Sequence, residues 1–302
     1  MHDVLLRRAV DVNWLNLALG HEVFNAAGAT FVRNRALPDV YDANFVFDVA
    51  AAEPAAITAL LGRVAEEYPH APRITFRTDP FTPPAFEARL VVEGYEWTDA
   101  LLLILEGSVL GARRALEIQP VEDDAAWYKC AELKHLDWCE HAPPERVEAG
   151  NSSIVQRLIS AIRLKCPPVR YVLAYQDGRA VGYSSTWEGS DGVGQVENIF
   201  VHPAYRRRGI AAAMIRHCVE VARERGAGPM VIVVDPRNAA KFLYSALGWR
   251  PLAMCRQYGK DCVDRRTMPN GGFECLDRTP FSLLRSALSR AFFRECSALA
   301  AV

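Results

Sequence analysis

Hydrophobic and polar positions along this chain follow two alternating periods. Short apolar or alternating runs predict strands at Asn44–Val49, Arg73–Arg77, Arg170–Tyr175, Ala180–Trp187, 193–201 and Met230–Val234, and one or two strands over Tyr95–Leu105. Helical spacing predicts helices between them. Glu53–Tyr68 puts Ile57, Leu60, Leu61 and Val64 on one face, and Ser152–Leu164 does so with Ile154, Leu158 and Ile162. Ile210–Arg225 carries Ile210, Met214, Ile215, Cys218, Val219 and Ala222 against a charged face. Pro83-Pro84 opens a helix through Val92, and Glu122-Asp123-Asp124 opens another through about Trp138, acidic where the helix dipole favours it. Trp14, Leu15, Leu17 and Leu19 predict a short helix near the start. His141–Glu145 breaks the chain, Pro269–Gly272 reads as loop, and Phe281–Ala298 reads as a final helix.

The turns order these pieces. Gln176-Asp177-Gly178 predicts a hairpin, and Glu188–Gly192 turns its second strand into 193–201. Because a helix separates 196–201 from 230–234, those two strands are expected to pair in parallel. Helix–glycine–aromatic–strand occurs twice, at Glu93-Gly94-Tyr95 and at Leu247-Gly248-Trp249. The repetition predicts two related α/β halves, 1–110 and 116–260, joined through the glycine-bearing Glu106–Arg114 and followed by an extension over 261–302.

Composition narrows the class. The 302 residues are 50% hydrophobic and 24% charged with a formal net charge of −1, which describes a globular chain with no general pull toward nucleic acid or an anionic membrane. One arginine triplet without an extended basic aromatic face argues against nucleic-acid binding. No apolar run reaches the roughly 18 residues of a spanning helix, and no signal-peptide pattern opens the chain, so the expected location is cytoplasmic. Eight cysteines lack Cys-x-x-Cys or zinc-type spacing, which predicts reduced thiols and no metal.

Basic residues concentrate at one place. A strand ending Val201-His202-Pro203 runs into Arg206-Arg207-Arg208-Gly209 and then into the helix at Ile210-Ala211. Strand, basic glycine loop and helix N-terminus bring several backbone N–H groups and the positive end of a helix dipole together, as a phosphate or pyrophosphate requires. Gly209 permits close approach, and Ala211 keeps the first turn free of bulk.

Arg206-x-x-Gly209-x-Ala211 resembles the Q/R-x-x-G-x-G/A signature of the GNAT N-acetyltransferase superfamily, and the flanks Val201-His202-Pro203 and Asn238…Tyr244…Gly248-Trp249 resemble that family too, over about Leu116–Lys260. The resemblance implies a GNAT fold for the second half, with acetyl-CoA as acyl donor and its pyrophosphate on the backbone of Arg206, Arg207, Arg208, Gly209, Ile210 and Ala211. It implies a tandem arrangement in which the first half, lacking the motif, is a degenerate GNAT-like accessory domain. It also implies that strands 196–201 and 230–234 splay apart, that the N–H of Phe200 or Val201 faces the thioester oxygen, and that Asn238 contacts the pantetheine. Asn238 equally suits a helix cap, and stands six residues before Tyr244 where the family usually has seven.

Acetyl transfer to an amine needs a group to take the ammonium proton and one to protonate the departing thiolate. Glu197 is the expected base: a charged residue inside an apolar strand, placed by simple alternation on one face with Gln195 and Ile199. Gln195, which is no base, could instead hold a water. Tyr244 is the expected acid. No cysteine lies in an activating motif, so direct attack is expected, on a small-molecule primary amine in preference to a protein terminus. The first half would shape the acceptor cleft or make a homodimer contact. A non-catalytic acyl-CoA-binding or sensing module remains the competing reading.

Overall fold

The computed structural model describes residues 2–141 and 152–262. Of the break expected at His141–Glu145, His141 is still helical and 142–145 lie outside the described residues; the expected loop Pro269–Gly272 and helix Phe281–Ala298 of the extension lie outside them too. Among the described residues eleven strands form one sheet: β1 (Glu22–Ala26), β2 (Ala29–Arg33), β3 (Phe45–Phe47), β4 (Arg73–Thr78), β5 (Glu96–Leu105), β6 (Glu117–Pro120), β7 (Arg170–Gln176), β8 (Arg179–Trp187), β9 (Gly194–Val201), β10 (Met230–Val234) and β11 (Arg250–Asp261). The helices are α1 (His2–Ala18), α2 (Pro54–Glu67), α3 (Pro84–Val92), α4 (Asp124–His141), α5 (Ser152–Leu164), α6 (Ile210–Glu224) and α7 (Ala240–Ala246).

The order across the sheet is β1-β2-β3-β4-β11-β5-β10-β9-β8-β7-β6. Each half repeats one unit: a parallel pair, β3/β4 or β9/β10, then a helix, a glycine at positive φ (Gly94 at 81°, Gly248 at 95°) and a long strand. The long strands have changed places. β5, from the first half, pairs with β10, and β11, from the second, pairs with β4, while β5 and β11 pair with each other from Glu96/Gly259 to Ile104/Arg250. The sheet is therefore closed by an exchange between halves.

Side-chain alternation sorts the helices. Val32, Phe45, Leu102, Ile104 and Cys255 share one core with α1, α4 and α5, contributed by both halves. On the other face, Phe31, Val46 and Phe76 pack against α2 and α3, and Leu103, Leu105, Val196 and Ile232 against α6 and α7. Burial of these apolar faces is the main stabilising contribution, about 1.5–3 kcal/mol for each fully buried large side chain.

Two sequence expectations change. The first helix is 17 residues long rather than short, because its buried face carries Asn13 and Asn16 among Ala9, Val10, Trp14 and Leu17, which blurs the periodicity. A hairpin, β1–β2, occupies a stretch with no recognised turn; Ala27 and Gly28 both hold positive φ, 48° and 75°, in place of an Asn-Gly pair. The stretch read as one or two strands forms one, Glu96–Leu105.

Candidate active site

The loop before α6 is shaped for an anion. Arg207 (φ 62°) and Gly209 (φ 74°) both adopt the left-handed conformation, and Gly209 caps the helix. Among the described residues, the N–H groups of Arg207, Arg208 and Gly209 donate to no acceptor, and those of Ile210, Ala211 and Ala212 belong to the first helical turn, which has no intrahelical acceptor. Successive outward N–H groups at the positive end of a 15-residue helix make an anion cradle. Its charged side chains mostly serve the loop itself. Arg206 donates to the Val201 carbonyl at 2.9 Å and pairs with Glu140 of α4, and Arg208 donates to the Ala204 carbonyl at 3.1 Å. Ile210 is core, so only its N–H can serve a ligand.

The linker adds a residue that sequence reasoning missed. Arg216 of α6 donates to the carbonyls of Val109, Leu110 and Gly111 at 2.8–2.9 Å, Arg223 donates to Gly107 at 2.7 Å, and Arg113 pairs with Glu220 at 2.8 Å. These bonds lay the linker along α6 and bring Arg114 over the loop, its Cδ 3.7 Å from where a Cβ on Gly209 would stand. The Arg113-Arg114 pair was the only sequence signal for it.

The first half lacks such a cradle. At the matching position α2 begins Glu53-Pro54, without a side-chain cap bond. Pro54 removes an N–H, and the Glu53 carboxylate repels an anion.

β9 and β10 pair only at Gly194/Met230 and Gln195/Val231 and then separate. Opposite the gap β9 pairs with β8, where the His202 N–H donates to the Val181 carbonyl at 2.9 Å. Alternation along an antiparallel pair then turns the Val201 N–H away from β8, toward the gap, and the Phe200 N–H toward β8.

Glu197 lies beside this gap, and its strand is irregular there. Asn198 holds a positive φ of 55°, at a bulge opposite Ser184. The bulge corrects the expected alternation: Gln195 and Glu197 share a face, but Ile199 is turned to the opposite one, against Ile210 and Met214. Gln195, fully buried, donates from Nε2 to Asn13 at 3.0 Å and to Glu197 Oε1 at 3.1 Å, so it fixes the carboxylate directly. Burial raises the Glu197 pKa above the usual glutamate value, against the lowering effect of the Lys165 ammonium.

Glu197 and Asn198 line a cavity with Asp42 and Val40 before β3, Leu17 and His21 at the end of α1, and Lys165 with residues of α5. Both halves wall it. Asp42 pairs with Arg77, which together with Lys165 and Lys134 holds its carboxyl below the usual range against the effect of burial. Of these residues only Glu197 was legible in the sequence, as a charge within an apolar strand.

Tyr244 stands elsewhere. Its ring is buried on the α6 side of the sheet beside Val234 and Leu247, whereas Glu197 faces the α1 side. The Tyr244 hydroxyl makes no hydrogen bond among the described residues, and burial pushes its pKa to about 12. Asn238 accepts from the Ala240 N–H at 2.9 Å, a local turn bond made one residue before the cap position of α7, which Ala239 occupies.

Residues 127–249 match the model of the acetyltransferase (GNAT) family. A Bacillus subtilis protein assigned as a ribosomal-protein-bS18-alanine N-acetyltransferase is 29% identical over 99 residues, 32% of this chain and 65% of that one. A mycothiol acetyltransferase of Mycolicibacterium vanbaalenii is 31% identical over 100 residues, 33% of this chain and 32% of that one. The chain thus spans less than two thirds of either protein. A glucosamine 6-phosphate N-acetyltransferase of Trypanosoma brucei brucei is 28% identical over 142 residues, 45% of this chain and 89% of that one. Among solved structures, a GCN5-related N-acetyltransferase from Kribbella flavida superposes with a TM-score of 0.64 at 18% identity, over 86% of this chain and 96% of that one. A tandem GNAT protein from the clavulanic acid biosynthesis pathway gives 0.52 at 13% identity, over 73% and 76%. No helix among the described residues is long and apolar enough to cross a membrane.

Proposed function

Because residues 127–249 form a domain of the GNAT acetyltransferase family, we propose that this chain transfers an acetyl group from acetyl-CoA to the primary amine of a small molecule. The observation that carries the reading is the juxtaposition at the β9/β10 gap. An anion cradle at 207–212 lies on one side and a carboxylate-bearing cavity on the other.

In this reading the N–H groups of the loop hold the pyrophosphate, with Arg114 supplying a cation above them. The pantetheine passes through the gap, where β9 and β10 leave backbone groups unpaired. The Val201 N–H donates to the thioester oxygen as negative charge develops on it. Glu197, held by Gln195, takes a proton from the incoming ammonium. Its raised pKa brings it closer to that of the group it deprotonates than an ordinary glutamate would be. The nitrogen attacks the carbonyl carbon, the C–S bond breaks, and Tyr244 protonates the leaving sulfur. Direct attack is favoured over a cysteine intermediate, because burial pushes the thiols of Cys130, Cys218 and Cys255 up to about 12. The first half walls the acceptor cavity through α1 and the segment before β3, which supports the cleft-shaping role over a dimer contact.

Thiol release from acetyl-CoA across a panel of amines tests the reading. Turnover lost in both Glu197→Gln and Tyr244→Phe supports it. Tight acetyl-CoA binding with no thiol release on any amine would favour the sensing module instead.

A further inference from the structure

The charges around the acceptor cavity are nearly all matched. Asp42 pairs with Arg77, Asp39 with Arg157 at 2.9 Å, and Lys134 with Asp137 at 3.0 Å. Two ionisable groups lining the cavity have no such partner among the described residues. Glu197 accepts only the Gln195 amide. Lys165, only 5% exposed, gives one long hydrogen bond of 3.4 Å to Asn16, leaving its other N–H groups without an acceptor. The two do not pair with each other. A buried cation and a half-buried carboxylate, lining one cavity with neither in an ion pair among the described residues, are costly unless a ligand completes both.

A third group lies beside Lys165. The Asn34 side-chain oxygen accepts from the Ala36 N–H at 3.0 Å, so its NH2 is the end that meets His21 Nδ1 at 3.1 Å. His21 Nδ1 is therefore an acceptor, and the ring proton of the neutral imidazole sits on Nε2. Burial and the Lys165 charge keep the ring neutral, with a pKa lowered to about 4. Nε2 is buried and has no hydrogen-bond partner among the described residues. Lys165 and His21 thus offer two donors to an anion, and Glu197 offers an acceptor to an ammonium. Between them Leu17, Val40, Leu158, Ala161 and Ile162 make an apolar wall.

We infer that the acceptor is a zwitterionic α-amino acid with an apolar side chain, its carboxylate held by Lys165 Nζ and His21 Nε2–H and its amine presented to Glu197. This rests on the acetyl-transfer reading for the fate of the amine, but the binding site stands on its own groups. The carboxylate is the discriminating element: a site that leaves buried donors unpaired rejects the analogue lacking it far more strongly than it rejects a missing methylene.

Calorimetric titration of the full chain in the presence of CoA tests this, using L-leucine against 3-methylbutylamine, the same skeleton without the carboxylate. L-Leucine is expected to bind at least about 100-fold more tightly. Lys165→Met, which replaces a buried charge by an apolar chain of similar length, is expected to erase that preference while its melting temperature holds or rises. His21→Ala is expected to weaken L-leucine about tenfold and leave the amine unchanged. Equal or tighter binding of the amine, no binding of either compound, or a preference that survives Lys165→Met would each overturn the inference. Thiol release measured on the same samples separates it from the catalytic reading. L-Leucine that binds through Lys165 without releasing thiol would retain the amino-acid site and remove the transferase.

Discussion

Gly209→Ala separates the cost of shape in the fold from the cost of shape at the cradle. Gly209 caps α6 at φ 74°, a conformation that costs an alanine about 1–2 kcal/mol. Space is not a problem for the fold: the nearest atoms to the new Cβ are Arg114 Cδ and Nη1, at 3.7 and 3.9 Å, on a flexible side chain. The stability loss should therefore stay near 1–2 kcal/mol, or a few degrees in melting temperature. The cradle responds differently. The methyl stands under Arg114, on the side where an anion would meet the N–H groups, and displaces a phosphate from hydrogen-bond distance. Charge-assisted hydrogen bonds are worth roughly 1.5–3 kcal/mol each, so losing one or two predicts a CoA dissociation constant raised about 10- to 10,000-fold. Calorimetric titration of CoA, with thermal unfolding run on the same samples, reads both terms. A folded variant binding CoA within twofold of wild type would refute the cradle.

Other perturbations address the remaining groups. Glu197→Gln should lower kcat about 10²–10⁴-fold. In wild type kcat/KM should fall as pH drops through a pKa above the ordinary 4.5, since only the ionised form accepts a proton. The same raised pKa means that ionisation opposes folding. The glutamine variant should therefore match or exceed wild-type melting temperature at pH 8, with that advantage gone below pH 4.5; a lower melting temperature at pH 8 would count against a desolvated carboxylate. Tyr244→Phe should lower kcat with little change in melting temperature, because its hydroxyl makes no hydrogen bond among the described residues. With a pKa near 12 the tyrosine stays protonated, so a pH–rate profile should show no alkaline loss from it below about pH 10. Removing β11 by ending the chain at Trp249 should abolish the soluble monomer, since β4 and β5 both lose a partner. Gel filtration and circular dichroism would show it, and an intact monomeric spectrum would contradict the exchange.

The regular parts of this fold were legible because they obey local rules. α2, α6, the Asp177-Gly178 hairpin and the parallel β9/β10 pair follow from spacing and turn chemistry that a few residues contain. The cradle was legible for the same reason, since Arg206 to Ala211 are contiguous. The cavity beside Glu197 was not, because it is assembled from α1, the segment before β3, the end of α5 and β9, whose contacts no local pattern encodes. Glu197 stood out because an apolar strand isolates it. Lys165 did not, because a lysine ending an amphipathic helix is unremarkable until the fold buries it. The Asn198 bulge explains the misplacement of Ile199: one residue at positive φ reverses every side chain beyond it.

The exchange of β5 and β11 also fixes when the protein can be finished. β4 ends at Thr78, yet the strand that covers its open edge ends at Asp261. At synthesis rates of 5–20 residues per second the first half waits about 10–40 s with that edge unpaired. An open edge is a template for foreign strands. The first 110 residues therefore cannot mature ahead of the second half as a conventional leading domain does, and their dependence on chaperones should track the arrival of the last strand rather than their own length.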